Sequence, residues 1–368
     1  MNIGMVCFPT YGGSGVVATE LGMALAQKGH KVHFMSYSQP FRLNRLYDNL
    51  FFHEFNVNDY PLFDYQPYES VLASKIVDVA VYEHLDVLHV HYAIPHASVA
   101  YTAQQILKSK KIKLPYITTL HGTDITLVGR DPAFEPVIRF SLNQSNAITA
   151  VSESLKKDTL KTFKIDNAIQ VIPNFITLSE FLPQPQLNKS KELVIAHISN
   201  FRKVKRIEDV IHVFNRVKDQ IPCRLILAGD GPEKSVMERL VRDLNIQSQV
   251  HFVGMVADPK SVLQAADIFL LPSETESFGL SALEALAMGV PVISSNSGGL
   301  PEVNKHGISG WLYNVGDIEG MASGILTLWE SPKTLTAFKT GAKQTAARYD
   351  ISVVLPQYEA LYMQIISK

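Results

Sequence analysis

The chain has 368 residues, 46% of them hydrophobic, and a formal net charge of −1 from 34 Lys and Arg against 35 Asp and Glu. That length exceeds one ordinary core and predicts about two domains, each with enough apolar side chains to bury a sizeable interior. The balanced charge, without a long run of one sign, excludes the broad basic surface that a nucleic-acid backbone demands, and two unclustered cysteines, Cys7 and Cys223, make neither a disulfide framework nor a zinc site.

The first residues enter a predicted strand, Asn2 to Phe8, with no basic region followed by a cleavable apolar core. Nothing approaches roughly 18 continuous apolar residues, so no membrane span is expected and a reduced cytoplasmic setting fits. Gly12, Gly13, Ser14 and Gly15 follow and open a helix predicted over Val16 to Lys28. Gly13, Gly15 and Ala18 formally match the dinucleotide fingerprint, which supplies a rival function, a nicotinamide oxidoreductase. That rival needs a ribose-binding acid after the second strand, Lys31 to Ser36, where the chain instead offers Met35, Ser36, Tyr37, Ser38 and Gln39. What remains is either a turn bringing backbone N–H groups to an anion, with Ser14 adding a donor, or glycines required only by a tight strand-to-helix connection.

Short apolar runs continue to alternate with helical patterns, as in parallel sheets with crossover helices. Val87 to Val90 precedes a helix over Ala97 to Lys110, followed by strands at Tyr116 to Leu120, Ala147 to Val151 and Ala168 to Ile172. His89, His91 and Tyr92 end one strand and His121 the next. A histidine at the carboxyl edge of a central strand stands where such sheets bind ligands, although a lone histidine is often structural. His89 and His91 share a strand face and no acid completes a ligand set, so no metal is expected. Pro173 to Lys191, with Pro173, Pro183 and Pro185 and no period, is the expected linker.

The second half restarts with a strand at Leu193 to Ser199, a helix at Arg206 to Gln220, a strand at Cys223 to Ala228, a helix around Glu233 to Leu244, and strands at Val250 to Val253, Ile268 to Leu271 and Val292 to Ser294. The expected domains are 1–175 and 176–349, with the terminal segment 350–368, including a helix at Val353 to Ile366, bracing the first. Arg202 and Lys205 follow the first strand of this half and would meet a diphosphate; Lys203 and Arg206 read equally well as a solvated face. No Asp-x-Asp occurs, so a Lys/Arg pair and a helix end can neutralise leaving phosphates without magnesium. Ser277 is the expected N-cap of the helix from Leu280 to Met288, whose free N–H groups suit a diphosphate. Glu276 just before it would accept hydrogen bonds from sugar hydroxyls, and Glu284 further along would reach another part of the same ligand. The alternative is an ordinary amphipathic helix with solvated acids.

In sequence order these features resemble the retaining glycosyltransferases of family 4 with GT-B architecture, over essentially the whole chain. Glu276 and Glu284 are similar to that family's E-x7-E motif, Arg202 and Lys205 to its donor-phosphate cations, and Gly229 to Glu233 to its GDGPE turn. Many members have Gly-Arg where this chain has Ser199 and Asn200, so Arg202 holds a shifted position. Within the family, Gly12 to Gly15, Pro40 to Leu43, HYAIPH from His91, HGTDIT from His121 and SNFRKVKR from Ser199 resemble the branch of the bacillithiol pathway. The resemblance implies two doubly wound Rossmann-like α/β domains facing a central cleft, with closure excluding water. It implies transfer of N-acetylglucosamine from UDP-N-acetylglucosamine to the hydroxyl of L-malate with retention, needing neither cofactor nor metal.

On that resemblance, Lys205 and Arg202 stabilise the departing UDP, Glu276 orients the sugar and His121 touches its far hydroxyls or the developing oxocarbenium region. Gly13, Ser14, Gly15, Asn200, Ser277, Phe278, Gly279, Leu280 and Glu284 complete the expected donor contacts. A dicarboxylate acceptor needs cationic or hydroxyl donors, for which Ser14, Tyr92, Thr123 and Arg139 are the candidates, with Thr119 a substitute for Thr123. Arg139 would be the charge partner, unless it lies on the exposed side of a helix over Val137 to Gln144. A homodimer is implied by resemblance alone. A sibling transferase using an inositol phosphate or a glycan, and a non-catalytic sugar-nucleotide sensor, are the other readings.

Overall fold

The computed structural model of the chain describes residues 1–10, 12–43, 47–57, 66–127, 129, 131–182 and 192–368. They form two compact units, Met1–Asn174 with Ile351–Lys368, and Phe175–Asp350.

The first unit runs β1 (Asn2–Val6), α1 (Gly13–Gln27), β2 (Lys31–Ser36), β3 (Leu50–Glu54), α2 (Tyr68–Tyr82), β4 (Val87–His91), α3 (Ser98–Ser109), β5 (Tyr116–Leu120), α4 (Glu135–Gln144), β6 (Ala147–Ala150), α5 (Glu153–Thr162) and β7 (Ile169–Val171). Among the described residues its sheet has the order β3-β2-β1-β4-β5-β6-β7, parallel throughout. Helices on both faces leave β4 and β5 buried at every residue, the polar His89, His91, Thr118 and Thr119 included, so neither strand alternates between core and solvent. β3 and α2 escaped the sequence pattern. β3 is an edge strand whose residues are mostly half-buried, so no strong period marks it. Ser152 caps α5 by accepting from the Leu155 N–H at 3.0 Å.

The second unit runs β8 (Leu193–Ile198), α6 (Ile207–Val217), β9 (Cys223–Ala228), α7 (Lys234–Asp243), β10 (Val250–Gly254), α8 (Lys260–Ala265), β11 (Ile268–Leu271), α9 (Leu280–Ala287), β12 (Val292–Ser295), α10 (Leu300–Val303), β13 (Gly310–Tyr313), α11 (Ile318–Glu330) and α12 (Pro332–Ala346). Its parallel sheet has the order β10-β9-β8-β11-β12-β13. α6 buries Val210, Ile211, Val213, Phe214 and Val217 on one stripe and carries Glu208 and Asp209 in its first turn, where they complement the helix dipole.

The last helix, α13 (Ile351–Ile366), belongs to the first unit. Its Glu359 is 2.9 Å from His30 Nε2 just past α1, and its Tyr362 hydroxyl is 2.8 Å from His89 Nδ1. The expected linker is not shapeless at its start, because the Ile176 N–H donates to the Tyr349 carbonyl at 3.0 Å and Leu178–Glu180 makes one 3-10 turn. Its residues 183–191 lie outside the described residues. Cys7 and Cys223 fall in different units, both buried with free thiols that burial pushes up to about 12. No helix among the described residues is long and apolar enough to cross a membrane.

Candidate functional site

In a doubly wound sheet, ligands bind beyond the carboxyl ends of the strands, where the strand order reverses. In the second unit the reversal lies between β8 and β11. The loops after these strands carry Lys205 and Glu276, and the structure brings them together: Lys205 Nζ stands 2.6 Å from Glu276 Oε2, both side chains mostly covered. Lys205 ends a 3-10 turn, Lys203–Lys205, tied to the β11 loop by the Glu274 N–H donating to the Val204 carbonyl at 2.8 Å. The loop after β9 supports the same turn from the other side. Phe201 donates its N–H to Asp230, and Glu233 donates to Phe201, at 2.8 and 3.0 Å. His197 Nε2 lies 2.7 Å from Ser199 Oγ and its Nδ1 2.8 Å from the Leu270 carbonyl, which pins β8 to β11 beneath the site.

α9 begins differently from expectation. Its N-cap is Gly279, not Ser277, and no side chain caps it. Gly279 has φ +96°, a left-handed turn that a serine or phenylalanine would adopt only under strain, so the chain can enter the helix only at the glycine. Ser277 is half-buried two residues earlier, Phe278 is buried, and the Gly299 N–H holds the loop by donating to the Glu276 carbonyl at 2.8 Å. Glu284 is 6% exposed on α9, so the reading of its helix as solvated fails for this acid. Leu280, the first helical residue, is half-buried; Asn200 and Arg202 are exposed at the end of β8. Arg206 is held by Asp209, with Nε 2.6 Å from Oδ2 and Nη2 3.1 Å from Oδ1, which pushes its pKa up and makes it a structural cation.

In the first unit the order reverses between β1 and β4. Ser14, near the start of α1, and Tyr92, following β4, meet there with Oγ and hydroxyl 2.6 Å apart. The glycines do not form a loop ahead of the helix, because Gly12 is the N-cap and Gly13 and Gly15 lie in the first turn. A Cβ on Gly15 would stand 2.5 Å from the Thr10 carbonyl oxygen, so this glycine serves a close chain crossing. His121, half-buried after β5, places Nε2 2.8 Å from His91 Nδ1, and its ring tilts against Tyr92 at 5.4 Å between centroids.

Asp124 is the residue that sequence reasoning quoted without a role. It is 1% exposed, and its carboxyl accepts from the N–H groups of Ala93 at 2.8 Å, Gly122 at 2.9 Å and His121 at 3.3 Å, joining the loops after β4 and β5. An acid two or three residues after a strand-end glycine turn is the local signal that could have revealed it. Burial raises its pKa against these bonds. Thr123 is exposed at the same turn, whereas Thr119 is buried and engaged by His89 Nε2 at 2.7 Å and Thr149 Oγ1 at 2.6 Å, so it does not substitute for Thr123. Arg139 is exposed on α4, 3.4 Å from Glu135.

Among the described residues one trio, His33, His53 and Glu83, brings potential ligand atoms within 4.8 Å of one another. His33 Nδ1 and His53 Nε2 are 3.0 Å apart, a hydrogen-bond distance. A cation held between those two nitrogens would force the remaining proton onto His33 Nε2, which is buried without a partner, and metal-bound histidines need an acceptor at that position. The trio therefore does not fit a metal.

Two family models match the chain: Glycosyltransferase Family 4 over residues 11–180 and Glycosyl transferases group 1 over residues 179–345. The N-acetyl-alpha-D-glucosaminyl L-malate synthase of Bacillus anthracis is 43% identical over 374 residues, covering 100% of this chain and 97% of that protein. The gpi3 subunit of the Schizosaccharomyces pombe phosphatidylinositol N-acetylglucosaminyltransferase is 26% identical over 80% of this chain and 65% of its own length. In fold, the chain is similar to the sucrose-phosphate synthase of Thermosynechococcus elongatus, with TM-score 0.83, 21% identity and coverage of 100% and 99%. HepE of Anabaena, solved with UDP and glucose, has TM-score 0.82 at 19% identity, covering 98% of this chain and 99% of its own. With a relative this similar along the entire sequence, the chain belongs to glycosyltransferase family 4.

Proposed function

We propose that the chain moves N-acetylglucosamine from UDP-N-acetylglucosamine to the hydroxyl of L-malate, with retention at the anomeric carbon and without a metal. The observation that carries this reading is the Lys205–Glu276 pair at the β8/β11 reversal, in a chain 43% identical from end to end to a synthase of that product. The pair is a cation and an anion that neutralise each other until a ligand arrives. A diphosphate competes for Lys205, and Glu276 is then left to accept hydrogen bonds from the sugar. Lys205, with Arg202 and the free N–H groups at the start of α9, stabilises the charge that develops on UDP as the glycosidic bond breaks. Attack by the malate hydroxyl from the face of departure gives retention in one displacement: the leaving phosphate oxygen takes the hydroxyl proton as the glycosidic bond to UDP breaks, and no side-chain nucleophile is needed. Ser14 and Tyr92 at the β1/β4 reversal, with Thr123 in the turn after β5, supply hydroxyl donors for the acceptor carboxylates, and His121 touches the sugar; Arg139, exposed on α4 beside Glu135, is not part of this set.

Mixing the protein with UDP-N-acetylglucosamine and L-malate is expected to release UDP and α-glucosaminyl malate in equal amounts, at the same rate with or without a chelator. Inverted product, UDP release independent of malate, or loss of turnover in chelator restored only by magnesium or manganese would each refute the reading. The chain is further proposed to act in the cytoplasm as a homodimer. Phe134, Val137 and Phe140 are all exposed at the start of or along α4, an apolar face suited to a second copy. Light scattering is expected to return twice the 40.9 kDa chain mass, and Val137→Lys to return the single mass. A monomer in both samples defeats the dimer.

A further inference from the structure

The strand ends of the first unit carry a stack of histidines, only one of which the proposed reaction uses. His89 and His91 lie on one face of β4 with ring centroids 4.4 Å apart, and His121 stacks on His91 at 5.1 Å. His89 has a partner at each nitrogen, Tyr362 and Thr119. His91 does not. Its Nδ1 meets His121 Nε2 at 2.8 Å, while its Nε2 is buried with no hydrogen-bond partner among the described residues. Burial holds both rings neutral, His121 down to about 3 and His91 well below its ordinary value, so each ring carries one proton and two tautomeric arrangements are open.

In the first arrangement His121 donates from Nε2 and His91 carries its own proton on Nε2, where a buried N–H has lost water and found no acceptor. In the second His91 donates from Nδ1, and only a lone pair is left in the buried position. Orphaned buried N–H groups are the rarer defect, because a desolvated donor that makes no bond loses the whole of its hydration. The second arrangement leaves His121 with its proton on Nδ1. We propose that His91 is a positioning residue that holds His121 in the Nδ1–H tautomer, so that His121 meets the bound sugar as a hydrogen-bond donor.

The surrounding contacts keep the pair in register. His96 Nδ1 lies 2.6 Å from the His91 carbonyl and Asp124 ties the backbone of His121 to Ala93, which fixes the main chain carrying both rings, while His91 is packed between the rings of His89 and His121. The consequence for the ligand is specific: a donor at Nδ1 selects a hydroxyl or ether oxygen of the sugar acting as acceptor. This inference rests on the reading of His121 as a sugar contact, but the tautomer itself is measurable without substrate.

Long-range 1H–15N correlation of the full chain carrying 15N-histidine, with His121 assigned through His121→Gln, is expected to show Nδ1–H for both His91 and His121. His91→Asn keeps an amide donor where Nδ1 stood, and should keep the His121 tautomer and a kcat within about threefold of the parent. His91→Phe keeps the ring without the donor, and should mix the His121 tautomers and lower kcat about tenfold, the loss of one ordinary hydrogen bond, with KM for malate unchanged. An Nε2–H signal from His121 in the parent overturns the proposal, as does a Phe variant with parental tautomer or parental kcat. A parent protein without malate-dependent turnover would count against the proposed function and leave the tautomer measurement to decide this one.

Discussion

Replacing Lys205 by alanine is expected to lower kcat about 10²- to 10³-fold, the usual cost of removing one preorganised charge-stabilising donor. The estimate follows from position and not from charge alone. Lys205 ends a single 3-10 turn whose backbone is bonded to the loop after β11, so its ammonium is delivered to the sheet's reversal by a rigid support. Its partner amplifies the effect. Without Lys205 the mostly covered Glu276 carboxylate loses its counter-ion at 2.6 Å and stands as an uncompensated negative charge beside the proposed diphosphate. Glu276→Gln removes that repulsive charge while retaining hydrogen-bonding capacity for the sugar, so its loss should be the smaller of the two. Steady-state kinetics on both variants, with circular dichroism to confirm folding, provide the check. A Lys205→Ala enzyme running at the parental rate would remove electrostatic stabilisation of UDP from the mechanism.

Acid is expected to destabilise the first unit before the second. His89 and His121 are shifted by burial to about 3, His96 to about 4 and His91 well below the ordinary value, all in the first unit. In the unfolded chain each titrates near 6.5. Between those values the unfolded state binds protons that the folded state refuses, so stability is full above about pH 6.5 and declines as pH falls toward the folded pKa. At pH 5 each such histidine withdraws roughly 2 kcal/mol. Asp124, whose pKa burial raises, acts in the opposite sense, but it is one carboxyl against six imidazoles, because burial also lowers His33, to about 4, and His53 in the same unit. Among the described residues of the second unit, His197 is the histidine shifted down, to about 4. Hydrogen exchange, corrected for the intrinsic pH dependence, should show protection in β4 and β5 falling between pH 7 and pH 5 while β8 and β11 change far less. Equal loss in both units, or none, would contradict the assignment of neutral buried imidazoles.

These histidines illustrate where a linear reading stops. Each strand that ends in one was recognisable from its apolar run, and its place at the carboxyl end followed from chain direction. The ring contacts were not recognisable, because His91 and His121 are 30 positions apart and meet only when β4 and β5 pair in register. Ser14 and Tyr92 were named separately as acceptor candidates, yet their 2.6 Å bond depends on β1 and β4 lying side by side across the reversal. The start of α9 was misjudged for a local reason. Ser277 has the chemistry of a cap, but a positive φ at Gly279 decides where the helix begins, and backbone angle is invisible in a residue name.

The sequence by itself determined the alternation of buried strands and helices in two halves, the family, and the residue types that could carry the chemistry, because these depend on local period, composition and short motifs. The tertiary structure alone decided which of those residues meet. Lys205 with Glu276, Ser14 with Tyr92, His91 with His121, and Asp124 with both of its loops are partners brought from distant positions by parallel pairing around a reversal point. Parallel neighbours must be joined by a crossover connection, so contacts at their carboxyl ends are non-local in the chain, and only folding supplies the distances on which the electrostatics and hydrogen bonding depend.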